Sequence, residues 1–201
     1  MKPYAASCDE NREPILVELN DLLHDYQSLL EIGSGTGQHA VYFGEQFPRL
    51  TWQTSDQLEY HAGIKAWLQD AKLANVLDPL LLDVRQVTWP NLTVDAVFSA
   101  NTLHIMSWEA VQACFAGVGL LLISNGLFIV YGPFNYAGQF TSTSNARFDQ
   151  WLKQRDPDSG IRNFEDLNLL AAKAGLELQA DYEMPVNNRI LVWRKTRTTI
   201  G

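Results

Sequence analysis

Hydrophobic positions in this chain switch repeatedly between helical and strand spacing. Ile15, Leu16, Leu19, Leu22, Leu23 and Tyr26 form one apolar stripe, which predicts a first helix beginning near Asn11 with Pro14 in its first turn. A short apolar run at 28–32 then reads as a strand and stops at three alternate glycines, Gly33, Gly35 and Gly37. Ala40, Phe43, Gly44 and Phe47 resume helical spacing at once, so this unit is strand, tight turn, helix. Further strands are predicted at 50–56, 80–84, 96–100 and 127–131, the last preceded by an Asn125-Gly126 turn. Between them lie a helix at 62–73 and one capped by Ser107, whose face of Val111, Cys114, Phe115 and Val118 is buried. A helix capped at Ser144 and one from Asn163 to Gly175 follow. The chain ends in a hairpin, 176–184 returning through 190–193. Strands and helices in alternation predict an α/β, Rossmann-like fold: a seven-stranded, mostly parallel sheet with an antiparallel last strand and helices on both faces.

The glycine turn carries the chemistry. Glycines can take positive φ and present bare backbone to a ligand at the carboxyl end of the first strand. A dinucleotide fingerprint needs G-x-G-x-x-G, but its sixth position here is Gln38 and the pattern is G-x-G-x-G. Glu31, two residues ahead of Gly33, would repel a pyrophosphate and suits S-adenosylmethionine (SAM), which bears an ammonium and a sulfonium. The stretch Glu31-Ile-Gly-Ser-Gly-Thr-Gly37 resembles the first motif of the class I SAM-dependent methyltransferases. Gly33, Ser34, Gly35 and Gly37 are accordingly expected at the cofactor together with Glu31. Asp56 falls 23 residues beyond Gly33, where nucleotide-binding folds place an acid on the ribose hydroxyls. The resemblance further implies that Asp83, after the third strand, meets the adenine amino group.

Several motifs recur together in one family. They are Asn11-Arg12-Glu13-Pro14, the glycine turn with Gln38-His39, Ser99-Ala-Asn-Thr-Leu-His-Ile-Met-Ser-Trp108, Tyr131-Gly-Pro-Phe-Asn135 and Asn187-Asn-Arg189. Over essentially its whole length the chain resembles the methyltransferase-like 26 family of uncharacterised, SAM-dependent methyltransferase-like proteins. The resemblance implies a class I methyltransferase fold and SAM as cofactor, and leaves the acceptor open. The fourth strand ends in Asn-Thr-Leu-His, where nucleobase amino-methylating enzymes often carry Asn/Asp-Pro-Pro-Tyr/Phe, which points to a small-molecule acceptor. Catalytic candidates are His104, Tyr131 and Asn101, Asn101 also serving the cofactor. Candidates for the acceptor pocket are Asn11, Arg12, Phe134, Asn135, Asn188 and Arg189, and the two arginines suggest an anionic group on the acceptor. The polar head of the first helix, from Ser7, reads either as a solvated cap or as a flap over the cofactor.

Composition narrows the rest. The 201 residues fit one domain, with 1–26 as a helical cap on a Rossmann-like core at 27–201. A net charge of −8 and a pI near 4.9 disfavour nucleic acid as a partner. Cys8 and Cys114 provide no disulfide framework, consistent with a cytoplasmic protein, and the four histidines have no ligand spacing, so no metal is expected. Met1-Lys2-Pro3-Tyr4 leads into polar residues with no apolar signal-peptide core, and no later apolar run is long enough to span a bilayer. Two other readings stay open: a SAM-binding regulatory or scaffold protein without turnover, and, more distantly, a nicotinamide dehydrogenase.

Overall fold

The computed structural model describes residues 2–196; the expected outer limits of the domain, residues 1 and 201, lie outside the described residues. In chain order the elements are α1 (Ala6–Leu23), β1 (Ser28–Ile32), α2 (Gln38–Gln46), β2 (Thr51–Asp56), α3 (Leu58–Ala71), β3 (Val76–Leu81), β4 (Val94–Ala100) and α4 (Trp108–Leu121). There follow β5 (Leu122–Gly132), β6 (Phe134–Asn135), α5 (Thr143–Arg155), β7 (Arg162–Asn163), α6 (Phe164–Lys173), β8 (Leu176–Met184) and β9 (Asn188–Lys195).

Seven strands form one sheet in the order β3-β2-β1-β4-β5-β9-β8. All pairings are parallel except those of β9, which runs antiparallel to both β5 and β8. The expected α/β, Rossmann-like sheet with a reversed last strand is therefore present. Because β1 pairs with β2 on one side and β4 on the other, the strand order reverses at β1/β4, where ligands bind in doubly wound sheets. Alternation along β1 sends Leu29 to one face and Leu30 to the other. The face of Leu29 packs Ile15, Leu19, Phe43 and Ile64 of α1, α2 and α3 against Trp52, Phe98 and Ile129. The opposite face packs Val111, Phe115, Val118 and Leu167 of α4 and α6 against Val97, Phe128 and Trp193. Each core has an aromatic centre, Phe43–Trp52–Phe98 and Phe115–Phe128–Trp193, with centroids 5.1–5.8 Å apart. Truncating Phe98 or Phe128 to Ala would cost about 3–5 kcal/mol.

Several boundaries differ from expectation. Helix α5 is capped by Ser142, whose Oγ accepts from Asn145 N–H at 3.1 Å, not by Ser144, and α3 runs Leu58–Ala71, not 62–73. Three others differ for a tertiary reason. Helix α1 begins at Ala6, not near Asn11, and Pro14 lies inside it. The earlier start is anchored outside the helix: Ala5 N–H donates to Gln38 Oε1 (2.7 Å) and Gln38 Nε2 donates to Ala5 O (3.3 Å). Strand β3 occupies Val76–Leu81, not 80–84, and is an edge strand with Leu77 and Leu81 exposed. An edge can hold Pro79, whose missing N–H would break a central ladder. Strand β5 starts at Leu122, paired with Val94, and Ala96 next pairs with Leu127. The Asn125-Gly126 turn, with Asn125 at φ +68°, loops out of the ladder between those pairs. The Ser107 cap is as expected: its Oγ accepts from Ala110 N–H at 3.2 Å.

Candidate functional site

Glu31 is the hub beneath the glycine turn. Its Oε2 accepts from Ser34 Oγ (2.8 Å) and from Trp52 Nε1 (3.1 Å), and Ser34 Oγ in turn accepts from Ser55 N–H (3.1 Å). Gly33 N–H and Ser34 N–H both donate to Ser55 O, at 3.1 and 3.0 Å, so the turn is tied to β2 as well as to β1. Burial raises the Glu31 carboxyl to about 7, against the pull of the Trp52 and Ser34 hydrogen bonds. Asp56, ending β2, accepts from Gly35 N–H through Oδ2 (2.8 Å) and from Gln57 N–H through Oδ1 (2.7 Å). Its carboxyl is also raised by burial, partly offset by those two amides. Gly35 and Gly37 are required for different reasons. At Gly35, φ +56°, an added Cβ would meet only Gly33 O at 4.0 Å, which leaves the backbone open to a ligand. At Gly37, φ +90°, it would stand 3.1 Å from Ile64 Cα, so that glycine serves the packing of α2 on α3.

A cavity of about 570 Å³ opens on this turn, within the range of small-molecule sites. The head of α1 contributes Ala5, Ser7 and Cys8, and the segment after β3 contributes 82–85. The segment after β4 contributes Asn101, Thr102, Ile105, Met106 and Ser107, and the turn after α5 contributes Asp156 and Asp158. Asn101 holds a left-handed conformation, φ +55°, with its N–H donated to Tyr131 O at 2.9 Å. Non-glycine residues in that region concentrate at functional sites. Burial, first, and Glu31 push the Cys8 thiol up to about 11, so it is protonated at neutral pH.

Six residues expected at the cofactor share this lining: Gly33, Ser34, Gly35, Asp56, Asp83 and Asn101. Glu31 and Gly37 stand behind the turn. Asp83 is gripped by Arg85 Nε and Nη2 (2.9 and 2.7 Å), which holds its carboxyl below the usual range.

The acceptor and catalytic candidates lie elsewhere, Asn101 excepted. Asn11 is buried with Oδ1 2.7 Å from His39 Nε2. Arg12 pairs with Asp9 (2.7 Å) and covers the Tyr42 ring. Arg189 pairs with Asp181 (2.7 Å) and Glu183 (3.1 Å) and faces the Tyr136 ring. Asn188 Nδ2 donates to Tyr131 Oη at 2.9 Å. Phe134 is in the core beside α4, and Asn135 is buried with Nδ2 directed to Ile161 O. His104 is buried edge-on to Phe148, and burial, followed by the Arg162 charge, lowers it to about 4. It is a neutral imidazole at neutral pH. None of these eight side chains lines the cavity, the tyrosine included. Strand ends do converge on one rim, but Tyr131 projects into the core on the α1 side while the cavity sits at the β1/β4 reversal.

Residues 2–195 match the family described as "Protein of unknown function (DUF938)". The chain belongs to that family. Among solved structures, this DUF938 chain is similar to an O-methyltransferase family protein from Burkholderia thailandensis, with TM-score 0.81 and 13% identity over 92% of this chain and 56% of the other. It is also similar to the S-adenosylmethionine-dependent methyltransferase SibL, with TM-score 0.80 and 19% identity over 96% and 56%. A third is an O-methyltransferase family 2 protein from Planctomyces limnophilus in complex with apigenin, TM-score 0.75 and 14% identity over 87% and 52%. The DUF938 chain thus spans a little over half the length of these proteins. At such identities the likeness shows the fold: a class I methyltransferase, Rossmann-like architecture.

Lining residues outside the named candidates include Ser7 and Cys8, well ahead of the turn in sequence, Glu59 and Tyr60 in the first turn of α3, and Asp156 and Asp158, far behind it. Ser7 and Cys8 are legible only as the polar head of a helix able to fold over the site. For the two aspartates the sole signal is a polar Asp-Pro-Asp-Ser-Gly turn at the end of a helix. Among the described residues, no group of three or more His, Cys, Asp or Glu could hold a metal ion, and no helix is long and apolar enough to cross a membrane.

Proposed function

We propose that this DUF938 protein is a cytoplasmic SAM-dependent methyltransferase acting on a small molecule, with residues 1–201 forming one methyltransferase domain. The observation that carries the proposal is the open backbone of Gly35, tied to the Asp56 carboxylate at the point where the strand order reverses. A cradle that only glycine leaves open, faced by an acid at the end of β2, fits an adenosine-bearing ligand. The motifs shared with the methyltransferase-like 26 family support the choice of SAM, as does the structural likeness to SibL, an S-adenosylmethionine-dependent methyltransferase. The apigenin complex of a structural neighbour supports a small-molecule acceptor.

In this reading Asp56 accepts the ribose hydroxyls, and Asp83 and 84–85 border the adenine. Glu31 holds the turn in shape through Ser34 and supplies negative potential near the cationic end. Asn101 and Thr102 line the same cavity and would border the reacting methyl. When bound, SAM would supply a sulfonium-borne methyl to an acceptor lone pair, with the sulfur left as a neutral thioether. Neither the neutral His104 nor the buried Tyr131 hydroxyl reaches the lining, so the chain contributes positioning and exclusion of water. Effective molarity can supply about 7–11 kcal/mol of barrier reduction. Incubating the protein with methyl-labelled SAM and a small-molecule extract tests the proposal. Label transferred to an extract component supports it; SAM binding with no transfer favours the regulatory or scaffold reading.

A further inference from the structure

The head of α1 is attached to the rest of the chain differently from its body. The body is anchored in the core, with Ile15, Leu19 and Leu23 buried on the α2 and α3 side of the sheet. Of the described residues up to Glu10 none is buried, so the hydrophobic effect holds this segment weakly. Contacts to α2 and α3 latch it instead. Trp67 Nε1 donates to Pro3 O at 2.7 Å, while Lys2 Nζ stands 3.7 Å from the centre of the Trp67 ring and 2.8 Å from Asp70 Oδ2. The Gln38 side chain exchanges hydrogen bonds with both backbone groups of Ala5. A Cβ on Gly63 would lie 2.6 Å from Pro3 Cγ, so Pro3 rests directly on the backbone of α3.

The junction between head and body is marked in the helix itself. Asn11, the first buried residue of α1, is tied to His39 of α2 at 2.7 Å. Pro14 has no N–H for Glu10 O, so one rung of the helical ladder is missing where the head meets the body. Helices bend at such points. Ala5, Ser7 and Cys8, all ahead of this junction, form one wall of the cavity beside Ser34, Gly35 and Thr36 of the glycine turn. Segments held by exposed polar contacts and few buried apolar ones open at the low end of a protein's range of local stabilities. The wall of the cofactor cavity is therefore carried on a weakly anchored strap with a break in the helix behind it.

We propose that residues 2–10 are a strap that swings off the cavity to admit and release the cofactor and lies closed over it in between. The proposal rests on the SAM reading of the same cavity, so the test uses S-adenosylhomocysteine and reads exchange rates, which a fixed wall leaves alone. A Cβ on Gly63 would stand 3.8 Å from Pro3 Cβ, the usual spacing across a disulfide, so Pro3→Cys/Gly63→Cys can lock the strap shut. Stopped-flow binding is measured on the oxidised full chain and on the same protein after reduction. A thiol count confirms that Cys8 and Cys114 stay free in the locked form. The lock should slow association and dissociation tenfold or more each, with Kd within threefold, and reduction should restore the faster rates. Lys2→Ala/Trp67→Phe removes the ion pair, the ammonium over the ring and the donor to Pro3 O, and should speed dissociation fivefold or more. That variant decides alone if the introduced thiols do not cross-link. Oxidised and reduced rates within twofold of each other overturn the proposal and leave the SAM reading standing. Without a cross-link, a dissociation rate in Lys2→Ala/Trp67→Phe within twofold of wild type does the same. Failure of the wild type to bind S-adenosylhomocysteine at all removes the SAM reading, and the strap's role with it.

Discussion

Gly35→Ala separates the cofactor cradle from the stability of the fold. Gly35 lies at φ +56°, where an L-residue costs about 1–2 kcal/mol. The added methyl meets no neighbouring side chain, its nearest contact being Gly33 O at 4.0 Å, so no packing penalty joins the backbone one. At about 2–4 °C per kcal/mol for a chain of this size, Tm should fall by about 2–8 °C. The same methyl stands in the cavity that Gly35 lines, and a ligand seated on that backbone must shift or lose contact. Overpacking of this kind costs about 1–3 kcal/mol, which converts to a loss of SAM affinity of about 5–150-fold. The assay pairs calorimetry with thermal melting monitored by circular dichroism, so that affinity is measured on folded variant. A melt that drops as expected while SAM affinity stays within twofold would refute the placement of the cofactor against Gly35.

Three further outcomes follow from the same geometry. Gly37→Ala combines φ +90° with a Cβ 3.1 Å from Ile64 Cα, so urea unfolding should show about 2–5 kcal/mol lost, while SAM affinity of the folded fraction stays within about threefold. Asp56→Ala removes the acceptor for Gly35 and Gln57 N–H and for the ribose, and calorimetry should show SAM bound about 10–100-fold more weakly. Glu31 is raised from an ordinary 4.5 to about 7, so the folded state holds a proton that the unfolded chain releases between those values. Its contribution to stability is complete below about pH 4.5 and is lost as pH rises through about 7, with a ceiling near 3 kcal/mol. Glu31→Gln keeps an oxygen for Ser34 and Trp52, so its Tm relative to wild type should climb between pH 4.5 and 7; a constant difference contradicts the assignment.

Local patterns located the elements whose signals are self-contained. The run from β1 through the glycine turn into α2 is legible because three glycines, an apolar strand and a helical stripe agree. The Ser107 cap and the buried stripe of α4 are legible for the same reason, and so is the reversed β9, announced by alternation on both sides of a turn. Boundaries governed by distant partners were not legible. The start of α1 depends on a side-chain amide 33 residues away from Ala5, and the position of β3 depends on which strand becomes an edge. Of the cavity lining, Gly33 to Gly35 and Asp56 could be read from the glycine turn and its spacing, and Asp83 and Asn101 from the resemblance to methyltransferases. The acceptor candidates could not. A strand end specifies the rim, but whether Tyr131 or Asn188 turns toward the cavity depends on side-chain alternation and twist. Asp156 and Asp158 reach the lining only because Arg162 fastens their turn to 103–106.

The central claim is that the glycine turn with Glu31 beneath it selects a cationic amino-acid nucleoside over a dinucleotide. Calorimetry of the full chain with SAM and with NADH, in the same buffer at neutral pH, tests it most directly. SAM should bind with one site per chain and NADH should give no binding heat. NADH binding without SAM binding would contradict the account.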